Sequence, residues 1–155
     1  MPKSVSRAFL LAAALWVTEC VLGNECVVGD CENGEGRMDY GQGVRYDGFF
    51  QNFVPHGLGR MEHPNGAYTG NFERGVPHGL GAMTFPDGSK YQGAMENGQK
   101  HGNGRVDYPD GSVYEGGFHH NEKSGKGVTT HASGDQISGS WHGNRFVESG
   151  AGPDL

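Results

Sequence analysis

An all-β fold built from consecutive β-hairpins follows from three features of this 155-residue chain. The hexapeptide VPHGLG occurs twice, at Val54–Gly59 and Val76–Gly81. The residues around it recur as well, so the string belongs to an internal repeat. Within each recurrence apolar and polar residues alternate with the period of a half-buried strand, and turn residues separate the runs. No stretch of the array carries a helical apolar period, and its Gly and Pro density opposes one.

The N-terminal segment stands apart from the array. Lys3 and Arg7 precede an apolar run from Ala8 to Val17, and Val21 and Gly23 follow. That run is too short to span a bilayer but fits the core of a signal peptide. Residues 1–23 are therefore predicted to form a short signal helix cleaved before Asn24, and the protein to be secreted or extracytoplasmic. A retained apolar helix in a cytoplasmic or membrane-associated protein is the alternative. Cleavage would remove Cys20 and leave Cys26 and Cys31, an even pair that an oxidising compartment would join as a disulfide. Two free thiols are the alternative in a reducing one.

Residues 24–45 read as a degenerate half-repeat, because Gly34, Gly36 and Gly43 keep the glycine spacing of the later units. The array proper spans 46–143. Its units open at Tyr46, Tyr68, Tyr91 and Tyr114, with Ile137 starting a partial fifth. Two residues on comes Gly48, Gly70, Gly93 or Gly116, and two further on Phe50, Phe72, Met95 or Phe118. A second set of glycines is Gly57, Gly79, Gly102 and Gly125, and a closing turn reads PNG or PDG. Each unit is thus a strand, a turn predicted over residues such as Arg74–Gly79, a second strand and a closing turn. The 29 glycines, against about 11 at average usage, keep register with the aromatic residues. Glycine is costly inside a strand unless something approaches closely, so Gly70 and its equivalents Gly48, Gly93 and Gly116 are read as notches for neighbouring rings. Ser112, beside a closing turn, reads as a replaceable polar position. Residues 144–155 form a C-terminal tail.

The segments YTGNFERGVPHGLGAMTFPDGSK and YQGAMENGQKHGNGRVDYPDGSV resemble MORN repeats, with their opening Y-x-G-x-aromatic, central H-G-x-G and closing P-D/N-G. The resemblance implies an elongated, single-layer, twisted antiparallel sheet serving as a scaffold or docking surface. Ser124 in place of the central histidine, Asn121 in place of the turn glycine and the truncated last unit depart from the pattern, which weakens the C-terminal end as a recognition surface and suits a cap.

Catalytic chemistry is not legible here. His56, His78 and His101 recur one unit apart, about 9.5 Å in a meander, too far for neighbours to share one zinc ion. His119 and His120 are adjacent in sequence, and adjacent strand residues point to opposite faces. No serine stands in a nucleophile-elbow context, and the H-G-x-G strings lack the lysine and helix of a phosphate loop. The reading is a non-enzyme with no cofactor and no metal. Loss of residues 1–23 would leave 10 basic against 17 acidic residues, a formal charge of −7. Such a surface excludes nucleic acid as a partner and disfavours phospholipid, the alternative ligand.

What remains is an interaction module. Tyr46, Phe50, Tyr68, Phe72, Tyr91, Met95, Tyr114 and Phe118 fall on one face and are expected to form an accessible apolar stripe. Five hairpins give about ten strands and a sheet about 48 Å long. An amphipathic helix of about 30 residues in a partner protein would cover the stripe, and self-association is the other way to cover it.

Overall fold

The computed structural model describes residues 24–147; the predicted signal helix and its cleavage site lie outside the described residues. Twelve strands run in chain order: β1 (Glu25–Gly29), β2 (Glu35–Gly41), β3 (Val44–Gln51), β4 (Val54–His63), β5 (Gly66–Glu73), β6 (Val76–Thr84), β7 (Lys90–Glu96), β8 (Gln99–Asp107), β9 (Val113–His119), β10 (Glu122–Thr130), β11 (Gln136–His142) and β12 (Arg145–Val147). Each pairs antiparallel with the next, giving one open sheet in sequence order. The all-β hairpin array is as expected, but it is longer, at about 58 Å for twelve strands at roughly 4.8 Å each. Both ends account for the difference. β1 forms from the cysteine-containing segment, and β12, within the expected tail, pairs with β11.

The hairpins close more tightly than the sequence suggests. Arg74 and Gly75 alone form the turn between β5 and β6, with φ of 51° and 83°. Two left-handed residues make a type I′ turn, whose twist matches that of the flanking strands. The predicted turn over Arg74–Gly79 is thus corrected, because Val76–Gly79 already belong to β6. The surplus length goes into a bulge. Gly70 pairs with Gly81 and Phe72 with Pro77, so β6 carries two more residues than β5 between those pairs. Gly79, at φ 74°, supplies the left-handed residue the bulge requires. VPHGLG is therefore a bulged strand start, with Pro77 opposite Phe72 on the apolar face.

Neighbouring hairpins are tied together by their turns. The Gly75 N–H donates to the Pro55 carbonyl at 3.0 Å and that of Gly98 to the Pro77 carbonyl at 2.9 Å. In the next unit Lys100 replaces proline and regains an N–H, and there the turn residue is Asn121. The Asn121 N–H donates to the Lys100 carbonyl at 3.0 Å, and the Lys100 N–H donates to Asn121 Oδ1 at 2.9 Å. Lys123 and Asn144 repeat the exchange. Proline pairs with glycine and lysine with asparagine, so Asn121 is a matched substitution and not a weakened turn. Replacing Asn121 by Ala removes that acceptor and puts a Cβ residue of poor left-handed tolerance at φ 70°. We expect a loss of about 1–2 kcal/mol in thermal or denaturant unfolding, and a smaller loss for Asn121→Gly.

The closing turns are equally specific. At Phe85–Ser89 the Phe85 N–H donates to the Ser89 carbonyl at 2.9 Å, and Asp87 Oδ1 accepts from the Ser89 N–H at 2.8 Å. In the next unit the Ser112 hydroxyl donates to Asp110 Oδ1 at 2.6 Å. Ser112 is buried, at 9% exposure. The expectation that it is freely replaceable is corrected, since its removal would take from Asp110 Oδ1 one of the two donors it has in a buried turn, leaving only the Ser112 N–H.

At the N-terminal end Cys26 and Cys31 form a disulfide. Asp30 Oδ1 accepts the N–H groups of Glu32 and Asn33 in the connecting turn, and Cys31 is buried against the end of the core. All five residues of β1 are exposed, so little besides its pairing and the disulfide retains this strand. Reduction is expected to cost roughly 2 kcal/mol on the chain-entropy model for so small a loop. It should speed amide hydrogen exchange in β1 while leaving β5–β8 unchanged, with intact mass confirming the gain of two hydrogens.

Candidate functional site

The apolar side chains gather on one face of the sheet, and a repeated device packs them. The Tyr68 hydroxyl donates to the Asn71 carbonyl at 3.1 Å. Tyr46, Tyr91 and Tyr114 bond in the same way to the carbonyls of Phe49, Ala94 and Gly117. Reaching that carbonyl lays the ring flat across a glycine pair. A Cβ on Gly70 would stand 2.5 Å from the Tyr68 hydroxyl, and one on Gly81 2.3 Å from it. Gly48, Gly93 and Gly116, with their partners Gly59, Gly104 and Gly127, do the same for the other three tyrosines. Each of these glycine pairs holds the tyrosine of its own unit. In the fifth unit Ile137 has no such ring, and Phe146 occupies the space beside Gly139. Edge-to-face contacts then join the units, as in Tyr46–Phe72 at 4.9 Å, Tyr91–Phe118 at 5.3 Å and Tyr114–Trp141 at 5.2 Å.

This packing corrects the accessible stripe. Tyr46, Phe50, Tyr68, Phe72, Tyr91, Met95, Tyr114 and Phe118 are 0–4% exposed. Ring on ring and ring on glycine bury them within a single layer, so they form the core of the sheet and a partner would not touch them first. Burial also withholds charge from the phenols, pushing Tyr68 and Tyr91 up to about 12 and raising Tyr46 and Tyr114.

The outer surface of this face comes from residues the sequence reading passed over. Tyr40, Phe85, Tyr108 and Trp141 are half-buried against the core. Phe85 and Tyr108 each stand immediately before a PDG turn, a register signal legible in hindsight. Between them sit two lysines. Lys100 pairs with Met95 across β7 and β8, and Lys123 with Phe118 across β9 and β10, so both belong to the aromatic face. Lys100 Nζ lies 5.6 Å from the Phe85 ring, 5.8 Å from Tyr91 and 5.4 Å from Phe118. Lys123 Nζ lies 5.2 Å from Tyr108, 4.4 Å from Tyr114 and 4.6 Å from Trp141. Burial lowers the pKa of both, and the charge of Lys100 lowers that of Lys123 further. Nearby, Trp141 Nε1 and Thr129 Oγ1 are buried without a hydrogen-bond partner.

The opposite face is polar and internally paired. Arg37 bonds Asp47, Arg45 bonds Asp39, Arg60 bonds Glu62, and Arg105 bonds both Asp107 and Glu115. Phe49, Leu58 and Leu80 are exposed there. The histidines sit at the turn side. His78 and His101 each meet a carboxylate of their own hairpin, Glu73 at 3.6 Å and Glu96 at 3.3 Å. The rings of His119 and His120 lie 4.1 Å apart and do not diverge as strand neighbours would. His120 has left the strand, with φ 49° in the turn. Among the described residues no group of three His, Cys, Asp or Glu is placed to hold a metal ion, and no helix is long and apolar enough to cross a membrane.

Residues 46–67, 68–90, 91–113 and 114–136 each match the family pattern described as MORN repeat, well over half of the chain. The chain belongs to the MORN-repeat family. Each matched unit starts at one of the four buried tyrosines, so the family's boundaries coincide with the tyrosine-over-glycine device. No curated protein matches the chain. MORN repeats are non-enzymatic modules for protein or lipid interaction, which fits a surface of half-buried rings and two cations.

Proposed function

We propose that this MORN-repeat protein is a non-catalytic scaffold that docks an amphipathic helix of a partner protein along its aromatic face. The observation that carries this reading is the rim of Phe85, Tyr108 and Trp141, half-buried on one side of a single-layer sheet whose other side is occupied by ion pairs. Rings that are anchored on the core yet open outward suit an apolar ligand surface, because they lose little freedom on binding. The eight buried residues support this face from beneath, and substituting them would report on stability before binding.

A photo-crosslinking side chain at Phe85 or Tyr108, compared with one at the exposed Gln92 of the opposite face, tests the proposal. The same partner peptide should be captured from both aromatic-face positions and not from Gln92. Replacing Phe85 and Tyr108 together by polar residues should weaken that partner tenfold or more, as for central anchors of an interface. Capture at Gln92 alone would reject the docking face. Binding of anionic vesicles with no protein partner would favour the lipid reading.

We also propose that the protein is exported. The support is the charged and apolar pattern of Lys3, Arg7 and Ala8–Val17 together with a disulfide, which persists in oxidising compartments. A mature chain starting at or near Asn24 is expected by intact mass, and a chain retaining Met1 with free thiols would reject it.

A further inference from the structure

We propose that Lys100 and Lys123 form a paired carboxylate-binding site, taking two acidic side chains of the docked partner segment; this rests on the docking reading above. The anomaly is their lack of counter-ions. Every ion pair among the described residues uses an arginine or a histidine, and neither lysine ammonium has a carboxylate or a hydrogen-bond acceptor. The chain nevertheless has an excess of acidic residues, with 18 against 12 basic. Partial burial of an unpaired ammonium is costly, and ring faces recover only part of that cost. Each lysine is held among three rings and presents N–H donors that nothing in the described chain accepts.

Position in the repeat gives the site a direction. The equivalent residues of the first two units are Pro55 and Pro77, each opposite a phenylalanine of the core. At this register position the first half of the face is therefore apolar and the second carries two cations. A partner helix would place apolar residues over the prolines and acidic ones over the lysines. Lys100 on β8 and Lys123 on β10 are two strands apart, with β9 between them, which is about 9.5 Å. At 1.5 Å per residue, helix positions i and i+7 lie on one face about 10.5 Å apart. The spacing points to two acidic residues seven positions apart in the partner. A bilayer is the weaker fit, because these ammonium groups are recessed among rings and the net charge of −6 repels an anionic surface.

The probe is a fluorescent amphipathic peptide of about 30 residues, with Glu at two positions seven apart on its apolar face. Its counterparts carry Gln at both positions, or the two Glu residues two positions apart. The full chain should bind the Glu i/i+7 peptide about tenfold more tightly than either counterpart. The double variant K100M/K123M keeps the apolar stems and should lose that preference while still binding the Gln peptide. Its melting curve shows whether it is folded, and K100R/K123R should retain the preference. Equal binding of the Glu and Gln peptides by the wild-type chain would overturn the site but leave the docking face standing. Failure of all three peptides would overturn both. Sedimentation with phosphatidylserine vesicles that is lost in K100M/K123M would assign the pair to membrane and overturn the protein ligand.

Discussion

Valine in place of Gly93 is expected to cost about 3 kcal/mol, at the upper end of the usual overpacking range. The first atom of the new side chain would lie 2.5 Å from the Tyr91 hydroxyl, 2.6 Å from the Gly104 Cα and 2.7 Å from the Asn103 carbonyl oxygen. The tyrosine could swing away, but only by breaking its 2.6 Å bond to the Ala94 carbonyl and leaving a ring that is 0% exposed. The other two atoms belong to the paired strand and cannot move without opening the ladder between β7 and β8. Gln92, the exposed neighbour on the opposite face, is the control, and its replacement by Ala should change stability by less than about 0.5 kcal/mol. Because Tyr91 sits mid-array, the Gly93→Val defect should also split the unfolding transition, as expected for repeats coupled through neighbours. Equal denaturation midpoints for the two variants would contradict the tyrosine-over-glycine packing.

The repeat made most of this fold legible. A 22–23-residue period with glycines in register with aromatics defines hairpins, their order and the face on which the rings lie. The burial of those rings was not legible, because alternation shows which side a ring is on and not how it tilts. Only the bond from Tyr68 to the Asn71 carbonyl shows that each ring lies down over a glycine pair and does not stand out from the sheet. The lysines were hidden for a related reason. Lys100 falls in the stretch equivalent to the predicted turn Arg74–Gly79, and the two-residue closure of its hairpin, at Asn97 and Gly98, is what puts it opposite Met95. The disulfide followed from cysteine count, whereas β1 did not, since five exposed residues carry no burial pattern to read.

Stability should fall steeply between pH 10 and pH 12. An unfolded tyrosine loses its proton near pH 10, whereas burial holds Tyr68 and Tyr91 protonated up to about 12. Below pH 10 both states carry the proton and the full stability is present. Above it the unfolded chain releases protons that the folded chain keeps, so each rise in pH favours unfolding until the folded pKa is passed. Two units correspond to roughly 3 kcal/mol per ring, so these two alone remove on the order of 5 kcal/mol. Tyr46 and Tyr114 shift in the same direction. Lys100 and Lys123 act oppositely, because their lowered pKa values release protons from the folded state first and favour folding as pH approaches the unfolded lysine value. The expected curve is therefore flat or slightly rising toward pH 10 and then drops. Tyrosinate absorbance should rise together with loss of β-sheet circular dichroism, as one event. A Tyr91→Phe variant should be less stable at neutral pH, having lost the bond to Ala94, yet show a shallower alkaline decline. Ionisation of the core tyrosines near pH 10 with the sheet intact would mean that the rings are open to water and that the single-layer core is not dry.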